Sequence, residues 1–303
     1  MSGPALALHG VVKRYGRLTA LDGLSLEVPR GVICGMVGPN GAGKTTTFGI
    51  AGGYVRANEG TVDVLGAGRF DPVKMRGRLT LLPQDCELNP HTSVAGLLAY
   101  YASLQGMGRR AAKKDAARVL DMVELADRAG ARVKELSHGM RRRVAVAQAF
   151  LGDPELVLLD EPTNGLDPEL VVRMRDLFRS QRTKRTLVVS SHNLAELEAI
   201  SDHVVFLDAG KCVKAGALAD VTGRATRIRV RLEAPIPLEG LAAVLPGVTL
   251  AWDGVELVVT TESGGIAELN ARALPALVAA GARILEVRQG DTLESTYLAS
   301  KRG

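Results

Sequence analysis

The sequence is poor in cysteine and in aromatic residues, and it has no long apolar run. Its three cysteines, Cys34, Cys86 and Cys212, lie far apart without metal-ligand spacing, so they indicate neither a disulfide framework nor a metal site. Aromatic residues make up 4% of the chain and no basic run exceeds three residues, which argues against a nucleic-acid partner. No stretch approaches about 18 uninterrupted apolar residues, and the first ten residues lack a signal-peptide pattern. We therefore expect a cytoplasmic chain that does not cross a membrane by itself.

The composition is that of an ordinary globular chain. Hydrophobic residues make up 46% and charged residues 23% of the 303 residues, which leaves ample material for a core. The formal net charge of +5 is mild for this length and indicates a solvated surface rather than a basic stripe. The length suits one large domain, or a medium domain followed by a small one.

Four short apolar runs in the first two thirds of the chain end in glycine or polar residues, and helical patterns alternate with them. This alternation predicts an α/β fold with a parallel sheet wrapped by helices. The residues after parallel strands meet at the carboxyl edge of the sheet, where such sheets bind ligands. The runs are 32–37 before a glycine loop, 79–82 before Gln84, 156–159 before Asp160 and Glu161, and 187–191 before His192.

The glycine loop reads VGPNGAGKTTT at 37–47, and its residues Gly38, Gly43, Lys44 and Thr45 match the phosphate-loop pattern GxxxxGK[ST]. Glycines let backbone N–H groups point inward as an anion site, and the following helix adds the positive end of its dipole. Lys44 is expected to reach the β- and γ-phosphates, and the Thr45 hydroxyl to ligate Mg²⁺. A glycine-rich turn without a ligand is the alternative, which the preceding strand and the following helix disfavour.

Three further strand ends carry residues suited to nucleotide hydrolysis. Asp160 can hold the metal through water, and Glu161 can polarise an attacking water, although the pair could also form a turn or a helix cap. His192 is a candidate γ-phosphate contact, although a lone histidine is usually structural. The Gln84 amide can ligate the metal and orient the water. Their placement at strand ends beside the phosphate loop favours the functional interpretation.

Two helices are predicted between Gln84 and Asp160. The stretch HTSVAGLLAYYASLQG reads as a helix capped by Thr92 or Ser93 and ending at Gly106. A second helix follows, with apolar residues recurring on one face. The residues of that face are Ala112, Ala116, Val119, Leu120 and Val123.

The pattern of apolar and polar residues changes after about residue 222. Ile228, Val230 and Leu232 alternate with arginines, as in a half-buried strand. A short helix, two strands around the turn WDG, a longer helix and a final strand follow. The order βαββαβ predicts a small α+β domain of the ferredoxin-like kind.

The motif LSHGM at 136–140, followed by RRRVAVAQAFLGDPELVLLDEPTNGLDP, resembles the signature helix, Walker B strand and D-loop of ABC-type ATPases. The resemblance runs over about residues 5–220 and includes every motif of that domain in order. It implies a P-loop NTPase fold of the ABC ATPase type, with a mixed, mainly parallel sheet core, an antiparallel β subdomain and a helical subdomain at about 85–155. We expect the ATPase domain at 5–222 and an accessory α+β domain at 225–303.

The same resemblance assigns roles to individual residues, with ATP and Mg²⁺ as the bound groups. Tyr15 matches the aromatic residue that stacks on adenine, Asp167 the D-loop aspartate and His192 the switch histidine. Lys44, Gln84, Glu161 and His192 are the expected catalytic residues, Thr45, Gln84 and Asp160 the metal ligands, and Tyr15, Gly38, Asn40, Gly41, Gly43, Lys44, Thr45, Thr46, Ser137, Gly139 and Asp167 the nucleotide-binding residues.

The signature departs from the common LSGGQ at two positions. His138 replaces the first glycine and Met140 the glutamine, whereas Ser137 and Gly139 remain. Met140 followed by three arginines is similar to the single-cassette ATPases of bacterial drug, lipid or polysaccharide exporters. His138 allows two interpretations: an outward-facing side chain, or an imidazole close enough to a triphosphate to make ATP binding pH-dependent.

The chain carries one phosphate loop and one signature, so the resemblance implies that a working site needs two chains. We expect a homodimer bound to a separate integral membrane permease on the inner face of the cell membrane, with export as the function and no nucleic acid partner. The permease contact is expected around residues 85–101, with Leu88, Tyr100 and Tyr101 as apolar candidates, unless both tyrosines pack within the subdomain. An importer ATPase, or an ABC ATPase acting on ribosomes or DNA, is the alternative.

Overall fold

The computed structural model describes residues 3–300 and divides the chain into two compact units, 1–215 and 216–303. The first unit contains most of the secondary structure. Its elements are β1 (Leu6–Tyr15), β2 (Leu18–Val28), β3 (Ile33–Val37), α1 (Lys44–Ala51), β4 (Glu59–Val64), β5 (Leu79–Leu82), α2 (Val94–Leu104), α3 (Arg109–Met122), α4 (His138–Ala149), β6 (Leu156–Leu159), α5 (Pro168–Ser180), β7 (Thr186–Ser190), α6 (Leu194–Ile200), β8 (His203–Asp208) and β9 (Lys211–Ala217).

A six-stranded sheet in the order β5-β6-β7-β3-β8-β9 forms the centre of the first unit. The pairs β5-β6, β6-β7, β7-β3 and β3-β8 are parallel. Every residue of β3, β6 and β7 is buried, as expected for strands covered on both faces, which read as continuous apolar runs. The four predicted strands are confirmed, and their carboxyl ends lie along one edge of the sheet.

A second, antiparallel sheet and a group of helices complete the first unit. The three-stranded sheet has the order β2-β1-β4, with antiparallel pairing on both sides of β1. Helix α2 begins as predicted, since Ser93 is its N-cap and accepts a hydrogen bond from the Gly96 N–H. Helix α3 buries Ala112, Ala116 and Val119 on the face predicted from the sequence. The mixed α/β fold with a parallel core is confirmed.

The second unit is an α+β arrangement. Its elements are α7 (Leu218–Val221), β10 (Arg227–Leu232), α8 (Leu241–Val244), β11 (Val248–Asp253), β12 (Glu256–Thr261), α9 (Ile266–Ala279), β13 (Ile284–Gln289) and α10 (Leu293–Ser300). The sheet order is β11-β12-β10-β13 and the three pairs are antiparallel. From β10 to β13 the elements follow the predicted βαββαβ order, and the core joins Ile228, Val230 and Leu257 to Leu269 and Leu277 of α9.

The division between the two compact units falls within β9, after residue 215, and the predicted end of the ATPase domain at 222 lies a few residues further along the chain. Backbone hydrogen bonds join the residues around 219–224 to one another and to the end of the second unit. The Thr222 carbonyl accepts a hydrogen bond from the Asp291 N–H at 2.7 Å, and the Arg224 N–H donates to the Ala219 carbonyl at 2.8 Å.

Ion pairs hold the face of the second sheet that lies opposite its apolar core. Arg229 contacts Asp291 at 2.6 Å, Asp253 at 2.8 Å and Glu256 at 3.1 Å. Burial lowers the pKa of Arg229, but hydrogen bonds to these carboxylates outweigh it, so the net pKa rises. Arg229 therefore satisfies several carboxylates at once and fixes β10, β12 and the residues after β13 to one another.

Within residues 3–300, no helix combines the length and the apolar character that a membrane span requires.

Candidate nucleotide-binding and catalytic site

The phosphate loop lies between β3 and α1, and two of its positions accept only glycine. Gly43, the N-cap of α1, has φ +102°, and a Cβ there would lie 2.5 Å from Leu21 Cδ2. At Gly38 a Cβ would lie 2.5 Å from the Leu207 carbonyl oxygen. The loop therefore packs directly on neighbouring strands and leads into the N-terminus of α1, an arrangement typical of anion sites.

Lys44 is held inside the loop. Its Nζ donates hydrogen bonds to the carbonyls of Gly38 at 2.6 Å and Pro39 at 3.2 Å, and the residue is buried. Burial lowers the pKa of Lys44, whereas the nearby carboxylates of Glu161 and Asp160 raise it and oppose that effect. A phosphate beside the loop would add further negative charge and so stabilise the charged form of Lys44.

Thr45, Asp160 and Ser190 form a chain of hydroxyl-to-carboxylate hydrogen bonds. The Thr45 hydroxyl donates to Asp160 Oδ2 at 2.7 Å, and the Ser190 hydroxyl donates to Asp160 Oδ1 at 2.5 Å. Asp160 is only 1% exposed. The carboxylate is thus fixed beside the first turn of α1, where its oxygens and the Thr45 oxygen form an oxygen donor set typical of Mg²⁺.

Glu161 and His192 form a pair at the ends of β6 and β7. The His192 Nδ1 lies 2.8 Å from Glu161 Oε2, and because a carboxylate accepts, Nδ1 carries the proton. Glu161 is buried, whereas the His192 side chain is 68% exposed. Glu161 also has φ +51°, a left-handed conformation that is unusual for a residue with a Cβ. The buried carboxylate therefore lies at the cavity wall with an exposed imidazole beside it.

A cavity of about 640 Å³ brings most of the predicted residues together. This volume lies within the range of small-molecule and cofactor sites. The predicted residues that line it are Tyr15, Asn40, Gly41, Gly43, Lys44, Thr45, Thr46, Gln84, Asp160, Glu161 and His192. Tyr15 is 47% exposed, and Lys13 Nζ lies 4.7 Å from its ring centroid. A larger cavity of about 1030 Å³ beside β4 contains none of the predicted residues, and we place the chemistry in the smaller one because its charged groups converge.

Four predicted residues are not among those that line this cavity. Gly38 belongs to the phosphate loop itself, Ser137 and Asp167 are helix caps, and Gly139 lies in the first turn of α4. Ser137 caps α4 and accepts from the Met140 N–H at 3.2 Å, and Asp167 caps α5 and accepts from the Leu170 N–H at 2.9 Å. The two helix starts lie close together, since a Cβ at Gly139 would lie 3.2 Å from Leu170 Cδ1. The starts of α4 and α5 therefore lie side by side, and Ser137, Gly139 and Asp167 do not line the phosphate-loop cavity of the same chain.

His138 lies against the D-loop. A Cβ at Gly165 would lie 2.6 Å from His138 Nε2, and Gly165 itself has φ +75°. The side chain is exposed and is thus directed at the D-loop glycine of its own chain. His138 stands where the common signature has a glycine. Its imidazole occupies the space that the absence of a Cβ at Gly165 leaves open.

Two further residues of the site, Ser190 and Arg142, were not predicted from the sequence. Ser190 is completely buried, holds Asp160 and accepts a hydrogen bond from the Glu161 N–H at 2.9 Å. Arg142 is 9% exposed and donates to main-chain carbonyls at two strand ends. The sequence held a signal for each: Ser190 directly follows the apolar residues of β7, and Arg142 lies on the same face of α4 as the buried Val146.

A phosphate loop between a buried strand and a helix, facing an Asp–Glu pair at the end of β6, defines the class of P-loop nucleoside triphosphatases. The family described as ABC transporter matches residues 21–164. Nod factor export ATP-binding protein I of Burkholderia orbicola is 35% identical over 223 residues, which are 72% of each chain. Daunorubicin resistance ATP-binding protein DrrA3 of Streptomyces coeruleorubidus is 34% identical over 262 residues, which cover 84% of this chain and 82% of that protein.

Solved structures agree with these relatives. The structure of an ATP-binding subunit of an ABC transporter superposes with a TM-score of 0.66 at 26% identity and covers 73% of this chain and 92% of its own. The dimeric bacterial ABC transporter cassette MJ0796 has a TM-score of 0.65 at 25% identity, covering 70% of this chain and 98% of its own. The chain belongs to the ATP-binding proteins of ABC transporters. It binds ATP and is an ATPase.

Proposed function

We propose that the chain is the ATPase subunit of an exporter and that two copies of it form the working ATP sites. The proposal of a dimer rests on where the predicted residues lie. Eleven of them line the phosphate-loop cavity, whereas Ser137, Gly139 and Asp167 do not. A signature that acts on a phosphate loop must then meet the loop of a second copy. The similarity to a cassette solved as a dimer supports this arrangement.

Two relatives are named for export or drug resistance, and this supports an exporter over an importer. The alignment with the daunorubicin resistance protein covers 84% of the chain, which is more than the 215 residues of the first unit and reaches into the second. Part of the second unit is thus aligned with an exporter-type relative, and its described residues hold no cluster of His, Cys, Asp or Glu suited to a metal. We assign it a structural or regulatory role.

Within each site the residues divide the work between binding and hydrolysis. Tyr15 stacks on the base, while Lys44 and the N–H groups of the phosphate loop hold the phosphates. Mg²⁺, when bound, neutralises charge on the β- and γ-phosphates. Thr45, Asp160 and Gln84 supply the oxygen ligands that suit this ion, and the 2.7 Å contact between Thr45 and Asp160 already places two of them together.

Glu161 acts as the general base in the proposed reaction. Its Oε2 takes a proton from water as the water oxygen bonds to the γ-phosphorus and ADP leaves. His192 keeps this carboxylate in place through Nδ1 and is exposed toward the cavity, where it contacts the γ-phosphate. Binding of two ATP molecules closes the dimer, and hydrolysis allows it to open, which is the motion that drives the permease.

The permease, a separate integral membrane chain, is expected to dock beside the residues that follow Gln84. A cavity of about 570 Å³ lies there, lined by Asp85, Cys86, Leu88 and Arg141 among others. Tyr100 of α2 is 57% exposed and its ring lies 5.9 Å from that of Tyr101. The exposed Tyr100 ring and the apolar Leu88 suit an amphipathic cytoplasmic helix. The chain would then work at the inner face of the cell membrane.

Capture from membranes tests this function. Tagged Glu161→Gln protein, incubated with ATP and detergent-solubilised membranes of the source cells, should retain a polytopic protein of about six spans, each about 20 residues long. Leu88→Glu in the same background should lose this protein, since a carboxylate would be buried at the contact. Val73→Glu, a change at a residue 83% exposed and outside that cavity, should retain it. Recovery of ribosomal proteins or DNA-bound factors without a polytopic partner would contradict the proposal.

A further inference from the structure

Arg142 connects α4 to the carboxyl edge of the parallel sheet. Its Nη1 donates to the Gln84 carbonyl at 3.0 Å and its Nε to the Pro162 carbonyl at 3.0 Å. Its Nη2 donates to the carbonyls of Asp160 at 3.1 Å and Glu161 at 2.5 Å. One buried guanidinium therefore binds the main chain at the ends of both β5 and β6.

These contacts act on a strained residue. Glu161 has φ +51°, and a non-glycine residue in this region costs about 1–3 kcal/mol unless its surroundings hold it there. Both of its main-chain polar groups are held by side chains: the N–H by the Ser190 hydroxyl at 2.9 Å and the carbonyl by Arg142. The direction of the Glu161 side chain depends on this conformation, because φ sets where its Cβ points.

We propose that Arg142 is a positioning residue for ATP hydrolysis, which fixes the main chain at Gln84 and Glu161 and joins it to α4. This inference rests on the proposed role of Glu161. Arg142 lies on the helix whose start carries Ser137 and Gly139. The same guanidinium therefore ties the signature of a chain to the catalytic edge of that chain, so that a shift of α4 on dimer closure reaches Glu161 directly.

Arg143 provides a matched control on the same helix. It is equally buried, at 9% exposed, but its Nη1 donates to the carbonyls of Val123 at 3.0 Å and Glu124 at 3.4 Å, at the end of α3. Its replacement removes a buried guanidinium from α4 without touching the strand ends. A general loss of stability therefore affects both arginines, whereas loss of positioning affects Arg142.

Lysine and methionine separate charge from geometry at position 142. The planar guanidinium donates to two chain segments at once, whereas a lysine ammonium is a single point that cannot span the same carbonyls. Arg142→Lys keeps the charge and loses part of the hydrogen bonding, and Arg142→Met loses both. We expect the rate to fall in the order wild type, lysine variant, methionine variant.

The experiment measures kcat and KM for ATP, and the Kd of ATP by equilibrium binding, in R142M, R142K and R143M. R142M should lower kcat about 10- to 100-fold, because small displacements of catalytic groups have effects of this size. The Kd should stay within about threefold, since the phosphate loop is untouched, and R143M should keep kcat within about twofold of wild type.

Three results would overturn the inference: R142M with kcat within about twofold of wild type, an equal loss in R143M, or a Kd that rises in proportion to the fall in kcat. If R142M fails to fold, R142K is judged by the same criteria. Glu161→Gln, measured alongside, keeps the two claims apart. If that variant hydrolyses ATP like wild type, the proposed general base is wrong, whatever Arg142 does.

Discussion

Replacing Glu161 with glutamine should lower the rate of ATP hydrolysis about 10²- to 10⁴-fold while leaving ATP binding intact. The amide keeps the shape of the side chain, and its oxygen can still accept from His192 Nδ1, which lies 2.8 Å from Oε2 in the wild-type protein. The amide cannot, however, take a proton from water. The Glu161 N–H donates to the Ser190 hydroxyl and the Glu161 carbonyl accepts from Arg142, and neither bond involves the carboxylate, so the fold should persist. Steady-state hydrolysis and ATP binding, measured on the same preparation, check both parts.

Glu196→Gln is the matched control. This carboxylate also lies near the end of β7, but its oxygens accept from the Thr163 hydroxyl at 2.8 Å and the Asn193 amide at 3.0 Å, as a structural group. Its amide should change the rate by less than about threefold, because a surface hydrogen bond contributes only about 1 kcal/mol. If the Glu161→Gln protein keeps a tenth or more of the wild-type rate while the Glu196→Gln protein hydrolyses ATP slowly, Glu161 is not the general base.

Replacing Lys44 with methionine should weaken ATP binding about 10- to 100-fold, because hydrogen bonds to charged groups contribute about 1.5–3 kcal/mol. At an ATP concentration of 100 times the wild-type Kd, ATP stabilises the wild-type fold by about 2.7 kcal/mol. The variant should gain about 1.4 kcal/mol or less at the same concentration. Thermal or denaturant unfolding with and without ATP measures this difference.

Without ATP the same variant should unfold within about 1 kcal/mol of wild type, since two opposing effects nearly cancel. Methionine loses the bonds from Lys44 Nζ to Gly38 and Pro39, but it also removes the burial penalty that lowers the pKa of Lys44. Lys113→Met, a change at an exposed residue of α3, should leave both measurements at wild-type values. An unchanged response to ATP in the Lys44 variant would contradict the assigned phosphate site.

Much of the fold and most of the cavity follow from local sequence patterns. The apolar runs that end at Gln84, Asp160 and His192 predicted parallel strands, and strands of one parallel sheet must bring such ends together. The phosphate loop can be recognised from its own residues alone, because its glycines and Lys44 occupy fixed spacings. Ser93 was one of two predicted caps for α2, and the structure selects it. Periodicity and spacing are sufficient for these features.

The features that escaped prediction depend on contacts between residues distant in the chain. Arg142 and Ser190 act through main-chain or carboxylate groups 18 to 58 residues away, and no local pattern records that distance. The left-handed conformation of Glu161 is likewise imposed by its surroundings, since glutamate has no intrinsic preference for it. Backbone bonds of the second unit, such as that between Asp291 and Thr222, likewise join residues about 70 positions apart.

The most direct test of the account is the mass of Glu161→Gln protein in solution with ATP, measured by analytical ultracentrifugation. We expect a species of twice the 32.0 kDa chain, because the proposed site places each ATP between two copies. Ser137→Asp in the same background keeps the helix cap, since aspartate caps as well as serine, but opposes the triphosphate with a carboxylate. That protein should still bind ATP and remain at 32.0 kDa. The two-chain site would be contradicted if ATP-bound Glu161→Gln protein stayed a monomer. It would also be contradicted if the variant that carries both Glu161→Gln and Ser137→Asp dimerised equally well.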